Sequence, residues 1–153
     1  MITLKPLKPY KKPRGIKARW QSVRSDEFKC DWAIGVVSFH GKVPDGSRGR
    51  EHADYIALEC LHGMARMEAI ALVMDMRALI YRWGNSIGKV FDVLRRHYHY
   101  EWEEVGKIVP IRMVTSDKSA GFQSLVDGDG FLCDSVEEAV RECAEEVAVW
   151  AAD

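Results

Sequence analysis

Four residues of this chain could act on a substrate: Asp75 at the end of an apolar run, His40 and His52, and Ser86 in a glycine-bearing turn. A carboxylate, an imidazole and a hydroxyl are the parts of a base and nucleophile pair, provided they converge within hydrogen-bond reach. Each also has a structural use. Asp75 can bond at a strand end, the histidines can sit on the surface or in a satisfied core, and Ser86 can cap a helix. His97-Tyr-His99, with Glu101 and Glu103 close behind, holds metal-ligand types. Alternate rings share one side only in an extended segment, whereas in a helix they diverge and act as cations near its C-terminus. The loop 41–50 brings glycines and arginines to a helix start, where an anion can bind, but lacks the G-x-x-x-x-G-K-[ST] order of a phosphate loop. Met64 and Met67 stand at helical spacing, the ordinary use of which is core filling. The expectation is therefore no catalytic residue, no metal and no cofactor.

A second kind of chemistry is recognition. Arg82-Trp83-Gly84-Asn85 is a polar turn carrying a tryptophan beside an arginine, and Tyr98, Tyr100 and Trp102 follow beyond the next helix. Aromatic residues and arginine dominate protein interfaces, so Arg82, Trp83, Asn85, Tyr98, Tyr100 and Trp102 are the expected contacts to a partner. The competing role for Trp83 is a lid folded back over the sheet edge.

The elements that must position these residues follow from periodicity. Residues 70–76 form a nearly unbroken apolar run, which reads as a central strand covered on both faces. After it, Asn85 or Ser86 is placed to cap a helix with Ile87, Val90, Phe91 and Leu94 on one face, extending to about His97. Upstream, 19–28 and 32–40 read as antiparallel neighbours, with Lys29-Cys-Asp31 closing a hairpin. Ala53, Ile56, Ala57, Cys60, Leu61, Met64 and Met67 make one helical stripe. Residues 107–114 form a further strand, which Pro110 assigns to an irregular or edge position. A short helix with Phe122, Leu125 and Val126 ends at Gly128 to Gly130. Phe131 to Cys133 is a short strand, and Ser135 with Glu138 is a capping box opening a last helix buried through Val136, Ala139, Val140, Cys143, Val147 and Trp150. The pattern is a single α/β domain with a mixed sheet and crossover helices, in the order β-β-α-β-α-β-α-β-α.

At 153 residues and 47% hydrophobic, the chain suffices for one core. Pro6, Pro9 and Pro13 among lysines mark residues 1–16 as a basic extended arm, leaving 17–153 as the domain. The net charge of −1 argues against a dedicated nucleic-acid binder. It averages a basic head and an acidic tail, which could lie against each other. No stretch reaches the roughly 20 apolar residues a bilayer helix needs, so a cytoplasmic protein without a membrane is expected. Cys30, Cys60, Cys133 and Cys143 show no C-x-x-C spacing and are expected as free thiols.

Several of these segments together resemble a STAS domain, the sulfate-transporter and anti-sigma-factor-antagonist family, over roughly 32–147. Val36 to Val43 resembles the family's early strand ending in glycine, and Ala71-Leu-Val-Met-Asp75 its central strand ending in aspartate. Pro110 to Ser116 resembles the next strand and turn. Gly130-Phe-Leu-Cys-Asp-Ser-Val-Glu-Glu-Ala-Val140 resembles the closing strand and its Asp/Ser-capped helix. Regulatory members carry Asp-Ser-Ser-Gly after the central strand, where one serine accepts phosphate. Here the turn reads Trp83-Gly-Asn-Ser-Ile-Gly88, and Ser86 is the one candidate, in a displaced register. The resemblance implies a small non-enzymatic bacterial protein that binds other proteins, as a STAS-like regulator or as an immunity protein neutralising a toxin. A homodimer belongs to the same class. The alternative is a small crotonase-like enzyme, which the strand, helix, strand and glycine turn also resemble, with turn N–H groups as an oxyanion hole.

Overall fold

Alternation along two central strands divides the molecule into layers. In β2 (Ile34–Lys42) and β3 (Ala71–Asp75), Val37, Phe39, Leu72 and Met74 enter one core, while Ile34, Val36, Ala71 and Val73 enter a second on the opposite face. Successive strand side chains point to opposite faces, so two apolar sets on one strand require a covering layer on each side. The computed structural model describes residues 1–28, 34–100, 109–126, 128 and 130–152, with side chains except at 99, 100 and 150–152. The hairpin turn expected at 29–31, Cys30, Glu101, Trp102, Glu103 and the first residues of the 107–114 strand lie outside the described residues.

The first layer holds α1 (Arg50–Met67), α2 (Gly88–Arg95) and α3 (Gly121–Val126); the second is α4 (Val136–Ala152). The remaining strands are β1 (Ile16–Ser22), β4 (Leu79–Ile80), β5 (Ile111–Val114) and β6 (Leu132–Cys133). Along the sheet the order is β1-β2-β3-β5-β6, with β4 paired to β2. β1 runs antiparallel to β2, and the other pairings are parallel.

The expected antiparallel pair is present, but its first strand begins at Ile16 rather than Arg19. The ladder to β2 sets that start, because Ile16 pairs with Gly41 and Lys42 N donates to Gly15 O at 3.0 Å. Trp20 lies so close over Gly63 of α1 that a β-carbon there would stand 1.9 Å from the ring, and its indole N–H donates to Glu59 at 2.9 Å. Pro110 does not put β5 at an edge, because β5 lies between β3 and β6. The proline precedes the ladder, where its missing N–H costs nothing, and its carbonyl accepts from Leu72 N at 2.9 Å. The two-residue β4 was not foreseen; it is too short to show a period.

Half-buried Arg112 of β5 pairs with Glu146 and, at 3.8 Å, with Glu142 of α4, an ionic contact at the margin of the second layer. At the start of α4 the expected cap is present in altered form. Glu138 N donates to Ser135 Oγ at 3.1 Å, while the Glu138 carboxylate reaches one residue further back, to Asp134 N at 3.0 Å.

Residues 1–13 carry no regular structure, and the arm lies on the α1 side of the sheet. Lys12 stands 5.3 Å from the Tyr55 ring centroid, and the Arg14 carbonyl meets His52 Nε2 at 3.1 Å. The basic head therefore meets Glu51 and Asp54 along a groove on α1, not the acidic tail, which the sheet separates from it.

Cys60 and Cys143 are buried, Cys133 is half-buried, and all three are free. Burial raises the Cys60 thiol well above its ordinary value and pushes Cys143 up to about 12. Iodoacetamide at pH 8 is therefore expected to leave Cys60 and Cys143 unmodified in the folded chain, since the thiolate is the nucleophile. Mass spectrometry after denaturation without reductant should then show four alkylations. Two fewer would reveal a disulfide.

Candidate functional site

Parallel strands deliver their carboxyl ends to one edge of the sheet, so the loops after β2, β3, β4 and β5 gather there. Two of these loops are bound into one unit. Trp83 O accepts from Gly46 N at 3.1 Å, and Arg82 is ion-paired with Asp45. Tyr81 donates its hydroxyl proton to Gly84 O across the turn. Gly84 has φ +145°, and its α-carbon faces the backbone of Gly46 so closely that a β-carbon would meet three of its atoms at 3.0–3.1 Å. Only glycine fits that conformation and that approach. Below the turn, the Tyr81 ring packs at a tilt against Phe122, with centroids 4.5 Å apart, and Phe91 meets Phe122 edge-on at 6.4 Å. Burial and the nearby Asp45 push the Tyr81 hydroxyl up to about 12, so it remains a donor at every physiological pH.

This scaffold carries Trp83 with 62% of its surface exposed, one edge of the ring resting on Gly46. Trp83 is thus not the lid on the core that was the competing expectation. Arg82 and Asn85 are exposed beside it. Tyr98 is at the far end of α2, half-buried against the first core, its hydroxyl pushed up to about 12 by burial and by Cys60. The structure therefore brings Arg82, Trp83 and Asn85 together and separates Tyr98 from them. The Tyr100 side chain and Trp102 lie outside the described residues.

The catalytic candidates do not converge. Asp75 takes its hydrogen bonds from the Arg77 backbone at 3.2 Å and from the Arg77 guanidinium at 2.8 and 2.9 Å. Burial alone would raise its carboxyl, but those bonds, the Arg77 charge and His40 hold it below the usual carboxylate range. His52 is engaged with the Arg14 carbonyl on α1, and no hydrogen bond joins any two of Asp75, His40, His52 and Ser86. Neither Asn85 nor Ser86 caps α2: its N-cap is Ile87, without a side-chain cap bond. The chain enters α2 through a tight turn in which Gly88, Lys89 and Val90 N–H groups bond the carbonyls of Asn85, Ser86 and Ile87. Those donors are occupied, so they cannot serve as the oxyanion hole of the crotonase-like alternative. Ser86 lines a shallow polar recess with Arg50, Asn85, Lys89 and Asp92.

Among the described residues, Cys133, Glu138 and Glu142 offer donor atoms within 4.8 Å of one another. The Cys133 thiol donates to Glu142 at 2.6 Å, and burial with that bond pushes it up to about 12, which keeps it protonated. His97 lies exposed in the π turn Arg96–Tyr100 that extends α2, not in a strand.

What sequence reasoning missed is the second half of the platform. Asp45 and Gly46 read as an ordinary loop, because their partners stand 37 residues away.

A scan against protein-family models finds no match for this chain, and a search of curated protein sequences finds none either. Among solved structures, the chain is similar to the crystal structure of an anti-sigma factor antagonist from Mycobacterium paratuberculosis. The TM-score is 0.55 at 17% sequence identity, over 86% of this chain and 96% of that one. The likeness is one of fold: a mixed α/β architecture of mainly parallel strands, the STAS fold, as the pattern of strands and turns led one to expect. Among the described residues, no helix is long and apolar enough to cross a membrane.

Proposed function

We propose that this chain is a non-catalytic regulator that acts by occupying the surface of another protein, through the strand-end face that carries Trp83. One observation carries the reading: a tryptophan 62% exposed on a scaffold locked by an ion pair, two hydrogen bonds and a glycine contact. An exposed aromatic ring held in one place loses little entropy on binding, which is what interface anchors require. Arg82 and Asn85 flank it as polar rim. The fold it shares with an anti-sigma factor antagonist, a protein named for action on another protein, supports the same reading. A toxin-neutralising immunity protein would use the face in the same way.

The test is a photo-crosslinker placed at residue 83, with residue 149 as control, because Val149 on α4 is also 62% exposed. In lysate of the native host, position 83 is expected to capture one protein in defined ratio, and position 149 none. Equal capture from both positions, or no capture at 83, would remove this face from the interface. The captured protein's identity separates a regulatory partner from a toxin.

A further inference from the structure

We infer that the partner surface that docks on the Trp83 face is acidic, an inference that rests on the protein-binding reading above. Two of the carboxylates at this edge, Asp45 and Asp75, are spent internally. Asp45 and Asp75 have side chains 13% and 14% exposed, each tied to an arginine, Arg82 and Arg77. What remains outward is mainly cationic, with Asp117 and Asp92 as exposed acids. Lys42, Arg48, Arg50 and Lys118 are exposed and have no ion-pair partner among the described residues. The guanidinium-bearing side chains of Arg77 and Arg82 are themselves 54% and 66% exposed. Within loops 43–49, 76–87 and 115–120, Asp117 is the exposed acid.

Arg48, Arg50 and Lys118 belong to segments that adjoin the tryptophan's turn. Arg48 shares the short turn Gly46–Gly49 whose first residue touches the Trp83 ring, and the Lys118 carbonyl accepts from Tyr81 N at 2.9 Å. Arg50 and Lys89 line the recess beside Asn85, with Asp92 as its one acid. A chain of net charge −1 thus concentrates unpaired positive charge around its exposed anchor. Cations rimming an aromatic anchor select an acidic surface by complementarity and speed its approach. Nucleic acid fits less well, since its binders are strongly basic as whole domains and this one carries an acidic last helix.

The inference can be tested with a short synthetic peptide rich in glutamate and leucine, titrated while the Trp83 indole N–H resonance is followed by NMR. Binding is expected to move that resonance and to weaken about tenfold between 50 and 300 mM salt, as exposed charges are screened. Arg48→Glu with Lys118→Glu should weaken it at least about tenfold, whereas Arg66→Glu with Arg96→Glu, equal in charge change but at the other ends of α1 and α2, should change it less than about twofold. Failure of the peptide to move the resonance, equal weakening by both double variants, or tighter binding of a single-stranded oligonucleotide would overturn the inference. A neutral or basic protein surface crosslinked at residue 83 would overturn it too, while leaving the protein-binding reading intact. Crosslinking no protein would remove that reading instead.

Discussion

Met74→Asp is expected to leave no folded protein. Met74 lies mid-strand in β3, fully buried, in register with Val37 on one side and Met113 on the other. Its side chain belongs to the first core, where the surrounding groups from α1 and α2 are apolar. Forcing a carboxylate there costs several kcal/mol after relaxation, or a matching cost to keep it protonated, and forfeits roughly 2 kcal/mol of methionine burial. Against a total stability on the order of 5–15 kcal/mol, that is most or all of it. Val73→Asp supplies the internal comparison. Val73 is equally buried but faces the second layer, in register with Arg112, whose Nε has no hydrogen-bond partner. A carboxylate at 73 has a cation within reach, so this variant should be damaged but recoverable, with a lowered urea midpoint rather than no transition. Circular dichroism and urea unfolding of both proteins check the order. A Met74→Asp chain with a native unfolding transition would show that β3 is not interior.

Trp83→Ala should do the opposite, sparing the fold and removing the function. With 62% of the residue in solvent, truncation uncovers little core and loosens one contact, with Gly46. The expected loss is about 1–2 kcal/mol, a fall of only several degrees in Tm for a chain of this length. Binding should suffer far more, because a central tryptophan anchor typically carries 2–4 kcal/mol, about 30- to 1,000-fold in Kd. Differential scanning fluorimetry, with calorimetry against the protein captured at position 83, reads both quantities on one sample. A collapse in Tm would move Trp83 into the core. An unchanged Kd would move the interface elsewhere, first to the basic arm over α1.

Hydrophobic periodicity was enough to assign the layers. Ala71 to Met74 and Met76 of the apolar run, the stripe through Ala53, Ile56, Cys60 and Met64, and the face Ile87, Val90, Phe91 and Leu94 are all buried where their periods put them. Periodicity reports which faces leave water, and the hydrophobic effect acts on faces. Element boundaries, by contrast, follow from contacts between segments: β1 begins at Ile16 because the β2 ladder runs on to Gly41, β5 is central despite Pro110, and α2 starts without a side-chain cap because its entrance is a bonded turn. The candidate site divides in the same way. Arg82, Trp83 and Asn85 were visible as a polar turn with an aromatic residue, a local property. That the turn is held rigid by Asp45 and Gly46, that Tyr98 turns inward, and that the edge is left mainly cationic once Asp45 and Asp75 are consumed are properties of contacts between distant segments. Burial and pairing of a given charge depend on what the fold brings to it, and a single sequence states the charge without its neighbours.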